Sequence, residues 1–196
     1  MSGPIPNASM IRADSRDVIH RVEHPILDPD VITNPISGQT VTFLSSTPEI
    51  LRTRFVVQSG RATDPRHIHP RQVETITVIE GRIRCSLPDK TEQVLEPEQR
   101  WEIPSGTPHT WAAIDSYVKL QIDFRPALRT RHLMTRLFGL AEAGKTNSKG
   151  IPNPLQVSVV ALEYQPEFRL ASPPWGVQKA LFAAVAPLAR TLGYRP

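Results

Sequence analysis

The stretch His67-Ile68-His69-Pro70-Arg71-Gln72-Val73-Glu74 decides how this chain is interpreted. His67 and His69 are two residues apart, so on an extended strand both imidazoles point to the same face. Glu74 lies an odd number of residues after His69, which would turn its side chain to the opposite face. Because Pro70-Arg71-Gln72 can interrupt the strand, we expect the alternation to restart there and Glu74 to face inward.

A third histidine completes a set of candidate metal ligands. It is His109, which follows Pro104-Ser105-Gly106-Thr107-Pro108 and belongs to a separate predicted strand. Imidazoles with one carboxylate suit a divalent transition metal (Fe, Mn, Ni, Zn or Cu), and four protein ligands leave two positions open on an octahedral ion. The alternative is a metal-free barrel whose histidines only form hydrogen bonds, but burying these groups together without a cation is costly. We therefore predict one metal site, with the ligands His67, His69, Glu74 and His109.

Short segments with alternating apolar residues surround these ligands between about residues 40 and 124. In one of them Leu51, Thr53, Phe55 and Val57 share a face, and Val118 to Phe124 alternate in the same way. Glycine and proline turns separate the segments. This pattern predicts an antiparallel sandwich or barrel.

The spacing of these residues resembles the two sequence motifs of the cupin superfamily. The first motif is present in full, and its residues are Gly60, His67, His69, Glu74 and Gly81. The core of the second motif is similar to Pro104–His109. Two positions differ from the family pattern, because Glu98 replaces the opening glycine of the second motif and Ala113 replaces its closing asparagine.

The resemblance implies a mainly β fold, a double-stranded β-helix (jelly-roll) barrel with one metal inside, often in a dimer. It also implies that Glu74 can act as a base in addition to being a ligand. The C-terminal part is similar to the helical tails of small stand-alone cupins of mostly unassigned function. The resemblance therefore indicates a site and not a substrate.

The chain divides into three predicted parts: an N-terminal arm at 1–35, the cupin barrel with its metal site at 36–126, and an α-helical extension at 127–196. Apolar residues at helical spacing between Met134 and Ala141 predict the first helix. Asn153-Pro154 and Ser172-Pro173 are predicted caps that lead into two more helices, Leu155 to Tyr164 and Trp175 to Leu192, although the valines after Asn153 leave a strand possible in the first.

Composition excludes several classes of protein. The 196 residues carry 23 Lys and Arg against 19 Asp and Glu, without a basic run interleaved with aromatic residues, so no nucleic-acid partner is expected. The single cysteine, Cys85, favours a reducing compartment, and no signal peptide or membrane span is expected; we predict a cytoplasmic protein. The twenty prolines argue against a large helical bundle.

Six apolar residues are predicted to line a substrate pocket, although a small barrel would use about half of them as plain core. They are Phe55, Val57, Ile76, Val78, Ile103 and Trp111. Cys85 is predicted to be a small core residue. His20, His24 and His132 are interpreted as surface residues, and the arginines from Arg125 to Arg136 as a solvated helix face.

Three functions fit these features. The leading hypothesis is a dioxygenase-like oxidoreductase that acts on a small, oxygen-containing organic substrate. The second is non-redox metal chemistry, in an isomerase, cyclase or lyase. The third is a non-catalytic module that binds a small molecule. A homodimer is expected from the family resemblance.

Overall fold

The computed structural model describes residues 31–58, 65–86 and 92–196. Gly60, most of the N-terminal arm with His20 and His24, and residues 87–91 lie outside the described residues. The fold is mainly β, and the helices lie in the C-terminal part of the chain. No helix among the described residues is both long enough and apolar enough to cross a membrane.

Among the described residues the larger sheet has six strands, in the order β1-β2-β3-β10-β5-β8. All the pairings are antiparallel. The strands are β1 (Val31–Asn34), β2 (Gln39–Ser46), β3 (Leu51–Gln58), β5 (Val73–Glu80), β8 (Arg100–Ile103) and β10 (Tyr117–Arg125). β1 lies within the predicted arm. The alternation expected in β3 is confirmed, because Leu51, Thr53, Phe55 and Val57 are buried and the residues between them are less so.

The smaller sheet has three antiparallel strands, β6 (Ile83–Ser86), β7 (Glu92–Leu95) and β9 (Thr110–Ala113), in the order β7-β6-β9. The chain passes repeatedly between the two sheets, which gives the predicted jelly-roll. Apolar residues from both sheets form one buried core between them, with Val41, Ile83 and Leu120 fully buried.

Two short strands pair across a long sequence distance. β4 (His67–Ile68) lies next to β11 (Arg169–Leu170), and His67 also forms an antiparallel bridge with His109. The C-terminal part of the chain therefore adds a strand beside the predicted metal ligands.

Three helices follow the barrel, α1 (Thr130–Glu142), α2 (Pro154–Glu163) and α3 (Trp175–Thr191). α1 packs Met134 and Phe138 on the barrel core, and Leu133 and Leu137 on a second apolar cluster that includes residues of α2 and α3. These two pairs have helical i, i+4 spacing, so α1 joins the barrel to the other helices.

The predicted helix starts had different outcomes. Asn153 caps α2 as expected, because its side chain accepts a hydrogen bond from the Gln156 backbone at 3.0 Å, and the segment is a helix and not a strand. The predicted cap at Ser172 is wrong. α3 begins after Pro174 without a side-chain cap, since two successive prolines, Pro173 and Pro174, precede its first turn.

Candidate metal centre

The turn between β4 and β5 brings Glu74 to the same side as the two histidines. β4 ends at Ile68, and the alternation restarts in β5 as the sequence predicts. Gln72 fixes this turn. It is fully buried, and its Nε2 donates to the Pro126 carbonyl at 2.7 Å and to Thr130 Oγ1 at 2.8 Å. The sequence analysis did not single out Gln72, whose partners are distant in the chain.

His109 reaches the same place through backbone pairing. The backbone N–H groups of His67 and His109 each donate to the carbonyl of the other residue at 2.9 Å. The turn before His109 is attached to the site as well, because the Gly106 N–H donates to the His69 carbonyl at 2.9 Å. Gly106 has φ +78°, a left-handed conformation that glycine adopts without strain.

The four predicted ligands converge in the interior of the barrel. One potential ligand atom from each of His67, His69, Glu74 and His109 lies within 4.8 Å of all the others, and all four residues are buried. Glu74 Oε2 lies 2.7 Å from His109 Nε2 and 3.1 Å from His69 Nε2, and the Nε2 atoms of His67 and His69 are 3.0 Å apart. The structure therefore brings together the complete set that the sequence predicts.

Each imidazole is oriented by a backbone carbonyl. The Nδ1 atoms of His67, His69 and His109 lie 2.8, 2.6 and 2.9 Å from the carbonyl oxygens of Pro65, Glu167 and Thr107, respectively. Because a carbonyl oxygen only accepts, all three Nδ1 atoms donate, and a neutral ring then presents the lone pair of Nε2 to the centre. Metal-binding histidines commonly have such outer partners.

The electrostatics of the site favour neutral imidazole and ionised carboxylate. The pKa of His67 falls to about 3, chiefly because the ring is buried and secondly because His69 and His109 lie beside it. Burial alone would raise the pKa of Glu74, but His69 and His109 hold it well below its ordinary value. These are the protonation states in which the two side chains bind a metal.

This donor set fits a cation. The Nε2 lone pairs and the Glu74 carboxylate are all acceptors, yet they lie at hydrogen-bond distance from one another. Acceptors that face each other in a buried site repel, unless a proton or a metal ion lies between them. Three nitrogens and one oxygen are ligands that several divalent transition metals accept.

The C-terminal extension supplies part of the wall of the site. In addition to the Glu167 carbonyl on His69, the Phe168 ring stacks on His67, with ring centroids 4.9 Å apart and an interplanar angle of 20°. The pairing of β11 with β4 continues in a bond from the Ala171 N–H to the Arg66 carbonyl at 3.0 Å. Glu167 and Phe168 were not predicted, because no local pattern in the sequence marks them.

The six residues predicted to line a substrate pocket are all buried in the barrel core, and none exposes more than 5% of its surface. Their contact with a substrate stays a prediction. Two other aromatic rings lie beside the ligand rings. The Phe124 ring is 5.3 Å from that of His69, and the Trp101 ring is 6.0 Å from that of His109.

The remaining candidate residues are not among the converging ligands. Burial raises the pKa of the Cys85 thiol to about 12, and the charge of Glu74 adds to the effect, so the thiol stays protonated as a small core group. His132 is exposed on α1. Arg125 and Arg129 form ion pairs with Asp123 and with acidic residues of the extension, respectively.

Comparison with known proteins identifies the family of the barrel. A family model described as a cupin domain matches residues 53–120, whereas no curated protein matches the chain. The match starts within β3, continues through β9 and both predicted motifs, and ends after the first four residues of β10. The predicted resemblance is confirmed over residues 53–120, which match the cupin domain model.

Several solved structures are similar to part of the chain. KdgF from Halomonas sp. is 20% identical, with a TM-score of 0.46 over 50% of this chain and 86% of that one. A RmlC-like cupin from Shewanella frigidimarina is 17% identical, with a TM-score of 0.47 over 53% and 89%. Pac13, a nucleoside dehydratase, is 14% identical, with a TM-score of 0.43 over 53% and 80%; its variants with uridine are described from Streptomyces.

Proposed function

We propose that the protein binds one divalent transition metal through His67, His69, Glu74 and His109. The observation that carries this proposal is the convergence of three Nε2 lone pairs and one carboxylate in a buried site, with every Nδ1 already bonded to a carbonyl. Fe, Mn, Ni, Zn and Cu all accept these ligands, so the donor set alone does not select one metal.

On this basis we propose a dioxygenase-like oxidoreductase that acts on a small, oxygen-containing organic substrate. When bound, the metal supplies redox and Lewis-acid chemistry to a chelating substrate at its two remaining coordination positions. The chain contributes the ligands and an apolar surround that excludes water, in which Phe124 and Phe168 pack against the ligand rings.

Glu74 is the proposed base of this site. Its carboxylate lies 2.7 Å from His109 Nε2, and the neighbouring histidines hold its pKa low, which keeps it ionised. A carboxylate of low pKa accepts a proton poorly. To act as a base, Glu74 would have to move away from the histidines that lower its pKa before it takes a proton.

The first experiment determines the metal and the reaction class. Protein purified without chelators is analysed for metals, then loaded with Fe or Mn and tested for oxygen uptake with phenolic, flavonoid and diketone substrates. We expect stoichiometric metal and uptake with one substrate class, and neither in His67→Ala. Lack of uptake with every substrate would contradict the oxidoreductase proposal. Anaerobic turnover with Zn would instead favour isomerase, cyclase or lyase chemistry. Ligand binding without turnover would favour a binding module.

We also propose a homodimer, located in the cytoplasm. The lone cysteine supports a reducing location. Large apolar side chains of the α3 region support an interface, because each of them exposes half or more of its surface; they are Val177, Leu181, Leu188 and Leu192. Light scattering should give twice the chain mass, and Leu181→Lys should lower it. A monomeric wild-type protein would contradict the proposed dimer.

A further inference from the structure

A cavity lies in the helical extension, apart from the predicted metal ligands. It is a cleft of about 530 Å³ between α1, the start of α2 and the chain after α3. None of the four predicted metal ligands lines it. Its lining residues are Arg136, Leu140, Lys145, Asn153, Gln156, Leu192, Gly193, Tyr194 and Arg195.

All the charged residues that line this cleft are cationic. Arg136, Lys145 and Arg195 are cationic, and no carboxylate is among the lining residues. Within residues 31–58, 65–86 and 92–196, no ion pair joins any of these three side chains to an acidic group, whereas Arg52, Arg82 and other arginines are paired. Three uncompensated cations around one cleft favour an anionic occupant.

Arg136 is held in place and has a spare donor. Its Nη2 donates to the Arg195 carbonyl at 2.8 Å, and Gln156 Nε2 donates to the same carbonyl at 2.6 Å. Arg136 Nε is buried and has no hydrogen-bond partner among the described residues. A buried donor without an acceptor is unfavourable, and an oxyanion can provide the missing acceptor.

Neutral polar groups complete the wall. Asn153 Oδ1 accepts from the Gln156 backbone at 3.0 Å, and Asn153 Nδ2 lies 3.4 Å from the Tyr194 hydroxyl. The amide is therefore oriented by the cap of α2, and the hydroxyl lies beside it. Leu140 and Leu192 add an apolar surface, so the cleft suits an organic anion in addition to an inorganic one.

We propose that this cleft binds a small multivalent oxyanion, a compound that carries phosphate or carboxylate groups. Guanidinium groups recognise both through paired N–H donors. A purely structural explanation also exists, because cations near the C-terminal ends of α1 and α3 offset the helix dipoles. The two explanations differ in one respect: only the first requires saturable binding.

The experiment measures binding to the full-length protein by calorimetry at constant ionic strength. The probes are inorganic phosphate, pyrophosphate and citrate, with glycerol and chloride as controls. We expect saturable binding of pyrophosphate or citrate, which distinguishes a phosphate ligand from a carboxylate ligand. Lys145→Gln and Arg195→Gln should each weaken binding about tenfold, since each removes a charge-assisted contact.

Lys149→Gln is the matched control, because Lys149 is exposed on the following loop and does not line the cleft. Lys145 and Arg195 are exposed as well, so their variants should fold normally, which the unfolding temperature checks. The proposal is overturned if no probe binds saturably, or if Lys149→Gln weakens binding as much as Lys145→Gln. Neither outcome affects the proposed metal site, because the measurement does not depend on a metal.

Discussion

At the scale of single residues, the protonation of Glu74 and its neighbours decides what the barrel holds. The carboxylate lies 2.7 Å from one imidazole nitrogen and 3.1 Å from another, and the outer nitrogens of both rings already donate to carbonyls. Without a cation these contacts bring acceptors together in a buried space. A metal ion between these groups would bind all of them at once, so the arrangement favours metal binding.

Replacing Glu74 separates metal affinity from stability. In Glu74→Gln we expect most of the bound metal to be lost, because a neutral amide is a poor ligand. The metal-free variant should still fold, since the amide can donate to His109 Nε2. Excess metal at about 100 times its Kd should stabilise only the wild type, by about 2.7 kcal/mol.

Metal analysis and urea unfolding with and without chelator test this prediction. Glu102→Gln is a suitable control, because Glu102 is an exposed carboxylate on β8 that pairs with Arg100. Unchanged metal content in Glu74→Gln would contradict the proposed ligand role.

A second carboxylate makes stability depend on pH through an ion pair. Asp123 accepts two hydrogen bonds from Arg52, both at 2.9 Å. Burial alone would raise the pKa of Asp123, but Arg52 and Arg125 bring it below its ordinary value. A lowered pKa means that the folded state favours the carboxylate, so this stabilisation is present above about pH 4 and is lost as the pH falls through the folded pKa.

We expect Asp123→Asn to lower the free energy of unfolding by about 1–2 kcal/mol at pH 7. The effect is smaller than for a fully buried pair, because Arg52 is half-exposed and solvent screens its charge. The difference from the wild type should narrow as the pH falls below about 4. Urea titrations at several pH values measure it. Asp115→Asn breaks a similar but more exposed pair with Arg82 and should have a smaller effect. A difference that does not change with pH would refute the ion-pair explanation.

At the scale of elements, two turns of the barrel need a left-handed residue. Gly81 ends β5 with φ +75°, and a Cβ there would lie 2.4 Å from the Tyr117 carbonyl oxygen. Glu98, between β7 and β8, has φ 70°, although it is not glycine. The cupin pattern has glycine at this second position, so the turn keeps its shape despite the substitution and carries backbone strain.

Substitutions at these two positions should change the free energy of unfolding in opposite directions. Glu98→Gly should raise the free energy of unfolding by up to about 1 kcal/mol, since relief of strain is partly offset by the flexibility of glycine in the unfolded chain. Gly81→Ala should lower it by at least about 2 kcal/mol, because backbone strain and a steric clash add.

Gly144→Ala isolates the backbone contribution, because Gly144 has φ +67° and nothing within 4 Å of an added Cβ. Chemical denaturation of the three variants gives the comparison. If Glu98→Gly destabilises the protein, the strain assigned to this turn is absent.

At the scale of the whole molecule, the helical extension is part of the candidate site. It contributes the carbonyl that orients His69, and the ion pairs of Arg129 with Glu163 and Glu167 help to hold that segment in place. Glu167 is 2% exposed, and its Oε1 accepts from the backbone N–H and from Nε of Arg129, at 3.1 and 3.3 Å. Stability of the extension and geometry of the metal centre should therefore change together.

Arg129→Gln should lower the free energy of unfolding by about 2 kcal/mol, because a buried carboxylate loses its charged partner, with a discount for the half-exposed arginine. Metal affinity should fall about tenfold, since an outer partner of His69 is disturbed. The double variant Arg129→Gln/Glu167→Gln should recover part of the stability, because no unpaired charge stays buried.

Unfolding curves and metal titrations measure both effects. Arg190→Gln on the exposed face of α3 is the control and should change neither quantity. If Arg129→Gln changes stability but leaves metal affinity as it was, the extension does not support the centre.

Much of the barrel and its ligand set follows from short-range patterns. The two-residue period predicts the buried face of β3, and the proline-containing turn after His69 predicts the restart that turns Glu74 inward. The cap at Asn153 predicts the start of α2. The helix predicted from Trp175 is present, but Ser172 does not cap it, because Pro174 also follows Ser172 and precedes the first turn.

The order of residues by itself determined which side chains meet at the centre, because spacing along a strand sets the face to which each side chain points. Only the tertiary structure decided what surrounds them. Glu167 lies 98 residues after His69, and Phe168 reaches His67 through the pairing of two very short strands. Contacts of this kind depend on how α1 packs between the barrel and the other helices. Packing between segments that are distant in sequence leaves no periodic pattern in the chain.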